Sequence, residues 1–361
     1  GQLESGGWTQ NIHFARVPKG RQGKYRKGGD GFGSWNVSSL DDHQTPAALK
    51  LLIRTDKALE FKDAAIHEAA LFGLDALIKA QFAHGGFPQG FSGAAAAVPV
   101  KKASLPAYDW REAKGKFQYF AMPTLNDDLA GAVCYALIEA VRTYDDTKYK
   151  AALAKLGDFL ILAQLPEPQP IWAQQYGLEM EPIWARKFEP PALASRESQD
   201  VMITLMRIYA VTKDRKYLEP IPPAIAYLRK SLLPDGKLSR YYELETNKPL
   251  YWGGGNLTYD ITQARSGYGW LWEPKLDAIE KLHKKFVAGD PSAEAELNRL
   301  LPDENRNADP FPAASELEKE AERIVKELDG QGRWVKVYAG EGLVGGPGFK
   351  PGFRFIGSNV F

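Results

Sequence analysis

The sequence predicts an all-α protein: a toroid of three helical hairpins with long functional loops, followed by a C-terminal extension. Apolar residues recur at helical spacing from about residue 46 onward. A helix–turn–helix pattern repeats at a constant offset. The long segments between hairpins hold glycines, aromatics and acids instead of bland linker residues, and loops on a rigid scaffold are where function concentrates.

Residues 1–45, rich in Gly, Ser, Trp and basic side chains, read as loop with short extended pieces. Pro46 suits a first helical turn after Thr45 as N-cap, and Leu49, Leu52 and Ile53 continue at i, i+3 and i+4. A second run over 63–82 carries Ala65, Ile66, Ala69, Leu74, Leu77 and Ile78 and ends at Gly85-Gly86-Phe87-Pro88. The repeat follows. Leu137-Ile138 through Asp146-Thr147-Lys148-Tyr149 matches Leu205-Met206 through Asp214-Arg215-Lys216-Tyr217, each residue 68 positions from its counterpart. Each copy reads as helix, polar Asp-x-Lys-Tyr turn, helix, with the second helices over 150–164 and 222–232. Ala80-Gln81 echoes Ala163-Gln164 and marks the 46–82 hairpin as a more divergent copy. Three hairpins that cannot bury their apolar faces alone pack around a common axis, with a generic helical bundle as the plainer alternative.

The toroid is assigned to residues 1–272. Beyond it, 275–286 and 316–328 read as charged amphipathic helices, 333–339 as a strand, and 340–361 as a Gly- and Pro-rich tail. Residues 273–361 are therefore read as an extension packed on the toroid, not as an independent catalytic domain.

Composition excludes several classes. The 361 residues carry 46 Lys+Arg against 45 Asp+Glu, without the basic excess of a nucleic-acid-binding protein. Lone Cys134 rules out a disulfide framework and a multi-cysteine zinc site. No stretch approaches the roughly 20 apolar residues of a membrane helix, and no leader is legible at Gly1, which leaves the compartment open. Gly340-Glu341-Gly342-Leu343-Val344-Gly345 matches a dinucleotide fingerprint, but Gly346-Pro347-Gly348 follows where a helix is required. His67, within a helix, reads as packed or surface-exposed instead of as a ligand.

Two loops carry matching acids. Gly6-Gly7-Trp8-Thr9-Gln10 precedes Ser39-Leu40-Asp41-Asp42, and Gly85-Gly86-Phe87-Pro88-Gln89 precedes Thr124-Leu125-Asn126-Asp127-Asp128. One such cluster has a plain explanation as helix capping. Two in equivalent loops bring more carboxylates together than capping requires, and oxygen-rich clusters suit calcium with its roughly 6–8 oxygen ligands. The segment joining the second and third hairpins is the densest in chemistry. It holds Trp172-Ala173-Gln174-Gln175-Tyr176, Glu181-Pro182-Ile183-Trp184-Ala185-Arg186-Lys187-Phe188-Glu189 and Ser195-Arg196-Glu197-Ser198. Aromatics, amides and fixed cations of this kind fit a polysaccharide groove, in which rings stack on sugars and arginine pairs with carboxylates. A salt-bridged structural loop is the alternative.

The order of these motifs resembles the calcium-dependent pectate lyases of polysaccharide lyase family 10. The stretch Arg240-Tyr241-Tyr242-Glu243-Leu244-Glu245-Thr246-Asn247-Lys248-Pro249 and Ser266-Gly267-Tyr268-Gly269-Trp270 extend the resemblance to about residues 6–272. It implies an (α/α)3 toroid and a secreted or periplasmic enzyme that cleaves polygalacturonate by β-elimination, with a monomer expected. Carried over by position, Asp41, Asp42 and Asp127 form the calcium site, Asp42 standing where an asparagine is usual. Arg186 falls on the Brønsted base and Arg240 on a substrate-carboxylate arginine. Asn126, Lys187, Arg265 and Tyr268 complete the expected substrate-binding set. Two departures stand out: Tyr251-Trp252-Gly253-Gly254-Gly255-Asn256 replaces a turn with an Arg-Asp pair, and Tyr176-Gly177 replaces His-Asp. A degenerate lyase that binds oligouronates without turnover therefore stays open. So does a glycoside hydrolase using Glu189 and Asp127.

Overall fold

The computed structural model describes residues 1–10, 22–27, 33–300, 314–330, 335–337 and 354–356. It contains the three hairpins: α1 (Gln44–Ala58) with α2 (Ala64–Lys79), α3 (Leu129–Tyr144) with α4 (Thr147–Leu162), and α5 (Ser195–Thr212) with α6 (Ile221–Lys230). The first helix of each hairpin packs on the next, α1 on α3 and α3 on α5. Apolar side chains line their contacts: Leu49 and Ile53, then Val133, Ala136 and Leu137, then Met202, Leu205 and Ile208. The first helix starts two residues earlier than expected. Thr45 lies inside it, and its hydroxyl both accepts from the Trp8 amide at 3.0 Å and donates to the Trp8 carbonyl, so the residue ties the N-terminal loop down instead of capping.

The echoes in the sequence have physical causes. Asp63, Asp146 and Asp214 each accept a backbone N–H two residues on, capping the segment that opens the second half of each hairpin. In the Asp-x-Lys-Tyr turns, Lys148 reaches Asp75 on the preceding outer helix at 2.9 Å and Lys216 reaches Asp158 at 2.8 Å. The buried Tyr217 ring packs so closely that a Cβ on Gly157 would stand 2.4 Å from it. The glutamines form a further threefold set. The amide of Gln2 donates to the carbonyls of Gly6 and Ala69, that of Gln81 to Gly85 and Ala152, and that of Gln164 to Pro170 and Pro220. Each glutamine thus fixes its own loop and joins it to the helical hairpin that follows.

Short antiparallel strands hold the loops. β1 (Ser38–Ser39) pairs with β2 (Gly90–Phe91), and β3 (Leu193–Ala194) begins a four-stranded sheet. β4 (Leu238–Ser239) stands outside that sheet; β5 (Tyr241–Tyr242), β6 (Pro249–Gly253) and β7 (Asn256–Thr258) complete it in the order β3-β5-β6-β7. β4 pairs with β8 (Leu271–Trp272). The glycine run 253–255 makes the β6–β7 hairpin turn, with φ +58° at Gly254 and +89° at Gly255, conformations that primed turns require. The stretch where the resemblance led to an Arg-Asp pair being expected is thus a tight hairpin. Tyr176 is likewise structural: it is buried, accepts from the Ala173 amide and donates to the Ala163 carbonyl, both at 2.7 Å.

The chain divides into compact units 1–305 and 306–361, so the boundary expected at 272/273 falls inside the first. There α7 (Leu276–Ala288) packs on the third hairpin, with Phe286 edge-on to Tyr209 at 5.5 Å and Arg229 bonded to Asp277 and Glu280. Next comes α8 (Ala293–Arg299), which the sequence pattern did not disclose. The second unit holds α9 (Ala314–Lys326) and the antiparallel pair β9 (Val335–Val337) and β10 (Arg354–Ile356). The Gly340–Gly345 match lies outside the described residues.

Candidate active site

The two acid-bearing loops have the same construction. Ser39 donates its amide to the Trp8 carbonyl and Leu40 to Gln89; Thr124 donates to Phe87 and Leu125 to Gln174. The Ser39 hydroxyl accepts from the Asp41 amide and the Thr124 hydroxyl from the Asn126 amide, both at 3.2 Å. A single 3-10 turn follows in each, Asp41–His43 and Asn126–Asp128, and its last two residues are left-handed. By structure, therefore, Asp41 corresponds to Asn126 and Asp42 to Asp127. A third loop repeats the approach: Ala194 donates to Trp172 and Ser195 to Arg240. There α5 begins at once, without the left-handed pair, and the acid of its first turn, Glu197, is buried against Arg240.

These turns bring the acids together. Asp41, Asp42 and Asp127 each present an oxygen, all within 4.8 Å of one another. With Gln89, Tyr119, Asn126, Gln175, Arg186 and Glu189 they line one cleft of about 140 Å3. Burial, with Asp42 and Asp127 nearby, holds the Asp41 carboxyl above its usual range, although a hydrogen bond from Gln89 works the other way. An all-oxygen set of three carboxylates on a cleft wall fits a hard divalent cation by its donor chemistry.

Hydrogen bonds and one hydroxyl–hydroxyl contact link Arg186 to Asp127. The Arg186 side chain donates from Nε and Nη2 to buried Glu189 at 2.8 and 2.5 Å, and its backbone amide donates to the same carboxylate. That pairing raises the guanidinium pKa further, against the opposing effect of burial. Tyr268 donates to Glu189 at 3.0 Å and meets the Tyr241 hydroxyl at 3.0 Å; Tyr241 in turn donates to Gln174. Arg240 donates to Glu197 at 3.2 Å and Asn126 at 3.3 Å, and the Asn126 amide donates to Asp127 at 2.7 Å.

The expected residues thus divide. Asp41, Asp42, Asn126, Asp127 and Arg186 share the cleft. Tyr268 adjoins it through Glu189. Arg240, expected to meet substrate, is only 4% exposed; burial opposes its charge, yet Glu197 and its other neighbours hold it firmly protonated. Its donors are engaged inside the protein, so in this structure it orients Asn126 and Asp127. Lys187 and Arg265 are exposed, the latter stacked 4.5 Å over Phe188. Sequence reasoning missed the roles of Gln89, Tyr119 and Arg196. Arg196 donates to Asp127 at 2.7 Å and stacks over Trp272. Its only signal was membership of the dense 195–198 motif. Glu189, nominated for a hydrolytic pair, is held by Arg186 and Tyr268.

A protein-family model for pectic acid lyase matches residues 2–238. The chain belongs to the pectic acid lyase family. It is accordingly a pectate lyase-like enzyme, and its hairpins form an (α/α) toroid. Among solved structures, the pectic acid lyase fold seen here is similar to the family 10 polysaccharide lyase from Cellvibrio cellulosa. The TM-score is 0.56 at 20% identity, over 79% of this chain and 88% of that one. A mutant of that lyase in complex with trigalacturonic acid aligns with TM-score 0.57, again at 20% identity, over 79% and 89% of the two chains. Among curated protein sequences none matches significantly.

Proposed function

We propose that the enzyme is secreted or periplasmic and cleaves polygalacturonate, or a related polyuronate, by calcium-assisted β-elimination at the cleft between Asp41, Asp127 and Arg186. The observation that carries this reading is the convergence of three carboxylates from two separate loops with Arg186 on one cleft wall. The trigalacturonic acid complex of the Cellvibrio lyase supports a uronate substrate. Asp41, Asp42 and Asp127 would hold the calcium. When bound, that ion would neutralise charge spreading from C5 onto the uronate carboxylate.

The remaining steps use the protein's own side chains. Exposed Lys187 and Arg265 bind neighbouring substrate carboxylates, and the half-buried Tyr268 ring packs on a sugar. Arg186 stands at the C5 proton. A charged guanidinium cannot accept a proton, and an arginine pKa above about 12 opposes its loss. Glu189 fixes the guanidinium through Nε and Nη2; loss of a proton from Nη1 to solvent leaves that nitrogen as the base that takes the proton from C5. The C5–H electrons form the C4=C5 double bond, the C4–O4 bond breaks, and the departing oxygen is protonated by solvent. Asn126 and Arg240 hold Asp127 in place throughout.

The test is turnover on polygalacturonate with calcium and with chelator, read by ultraviolet absorbance of the unsaturated product. Calcium-dependent product that Arg186→Ala abolishes is the expected result. Reducing ends without a double bond, or uronate binding without product, would sink the proposal.

A further inference from the structure

Asp127 also lines a second cavity of about 460 Å3, walled chiefly by α3, α5 and β8. That volume falls in the roughly 300–1,000 Å3 range of small-molecule sites. Tyr135, Arg196, Asp200, Arg207 and Trp272 contribute to its wall together with Asp128. Three of these groups carry buried donors without a hydrogen bond: Nη2 of Arg207, the hydroxyl of Tyr135 and Nε1 of Trp272. Arg207 is 5% and Tyr135 8% exposed, and the guanidinium stacks 4.0 Å over the tyrosine ring, not on a carboxylate. Arg196, by contrast, is already engaged by Asp127 and Asp200.

A buried charged donor with no acceptor is costly, and a ligand that supplies one relieves that cost. The wall chemistry narrows the ligand. Arg196, Arg207 and Lys275 offset the acids of the wall and admit a carboxylate. Asp128 and Asp200 offer acceptors to hydroxyls that an inorganic anion lacks, and an apolar molecule would leave the donors unmet. A hexuronate combines a carboxylate, several hydroxyls and an apolar ring face. We propose that this cavity is a binding site for one hexuronate residue, its carboxylate directed to Arg207, its hydroxyls to Asp128 and Asp200, and its ring face to Trp272. The choice of hexuronate rests on the pectate lyase reading; because Asp127 borders both spaces, the cavity is a further subsite beside the cleavage cleft.

The test is calorimetric titration of galacturonate into the full-length protein in EDTA, which removes any metal-dependent binding at the neighbouring cleft. Saturable binding is expected, with galactose, which lacks the carboxylate, at least tenfold weaker. Arg207→Gln and the isosteric Asp200→Asn should each weaken galacturonate binding tenfold or more. Should Arg207→Gln lose its helical circular dichroism, Asp200→Asn decides. Absence of binding to the wild type, or unchanged affinity in the folded variants, overturns the subsite. Product formation from polygalacturonate is scored separately: a lyase without galacturonate binding here loses only the subsite, and a binder without product loses only the lyase reading.

Discussion

Asp42 and Asp127, on successive hairpins, adopt the same left-handed backbone conformation, at φ 46°, ψ 34° and φ 50°, ψ 41°. His43 and Asp128 follow them with φ 60° and 55°. Left-handed geometry costs an ordinary residue roughly 1–2 kcal/mol, and aspartate tolerates it better than most. Two consecutive cases at each of two equivalent turns mark a device for aiming side chains, the kind of local strain that gathers at functional sites. The third loop, which lacks the device, enters α5 directly and contributes Arg196, which reaches across to Asp127.

Removal of one cluster carboxylate should weaken calcium binding by roughly 100-fold. Asp41→Asn and Asp127→Asn are expected to show this in calcium titrations, and the exposed Asp42→Asn a smaller loss. Wild-type affinity in the first two variants would mean that the acids serve only the turns.

Glu189→Gln should keep the fold and lower kcat about 100-fold, the scale of loss when a reacting group is misplaced or wrongly protonated. KM should change much less. A kcat near that of the wild type would show that Arg186 works without its carboxylate partner.

His84 makes stability pH-dependent. Burial lowers its pKa from 6.5 to about 4, and its ring stacks on Phe159 while Nδ1 accepts from the Gly86 amide. Between these values the unfolded chain takes up a proton that the folded chain does not. Stability is therefore full above pH 6.5 and declines as pH falls toward 4. Thermal melts of His84→Gln should show a shallower decline over that window; an identical slope would assign the acid sensitivity elsewhere.

Asp56 joins three helices. Fully buried on α1, its Oδ2 accepts from the Tyr144 hydroxyl and faces His67 Nδ1, each at 2.8 Å. Asp56→Ala leaves the tyrosine hydroxyl without its acceptor and should destabilise the protein by about 2–4 kcal/mol in denaturant titrations. A change under about 0.5 kcal/mol would mean that water replaces the carboxylate.

Much was legible in the sequence because its signals are local or repeated. Helical periodicity and the Asp-x-Lys-Tyr echo each reflect an interaction made within one hairpin or with its neighbour. The matching of Asp41-Asp42 with Asn126-Asp127 came through because equivalent turns need the same residue types. What stayed hidden depends on distance through space. The donors of Arg240 turn inward to Glu197 and Asn126, Glu189 occupies Arg186, and Arg196 reaches Asp127 from the third hairpin. None of these pairings follows from residue type, since an arginine that binds substrate and one that binds a buried carboxylate read alike in a chain. Sequence by itself determined the hairpins and the acids available at their loops. Only the packing of one hairpin on the next decided which charges meet, because that packing sets the distances over which ion pairs form and the burial that gives them strength.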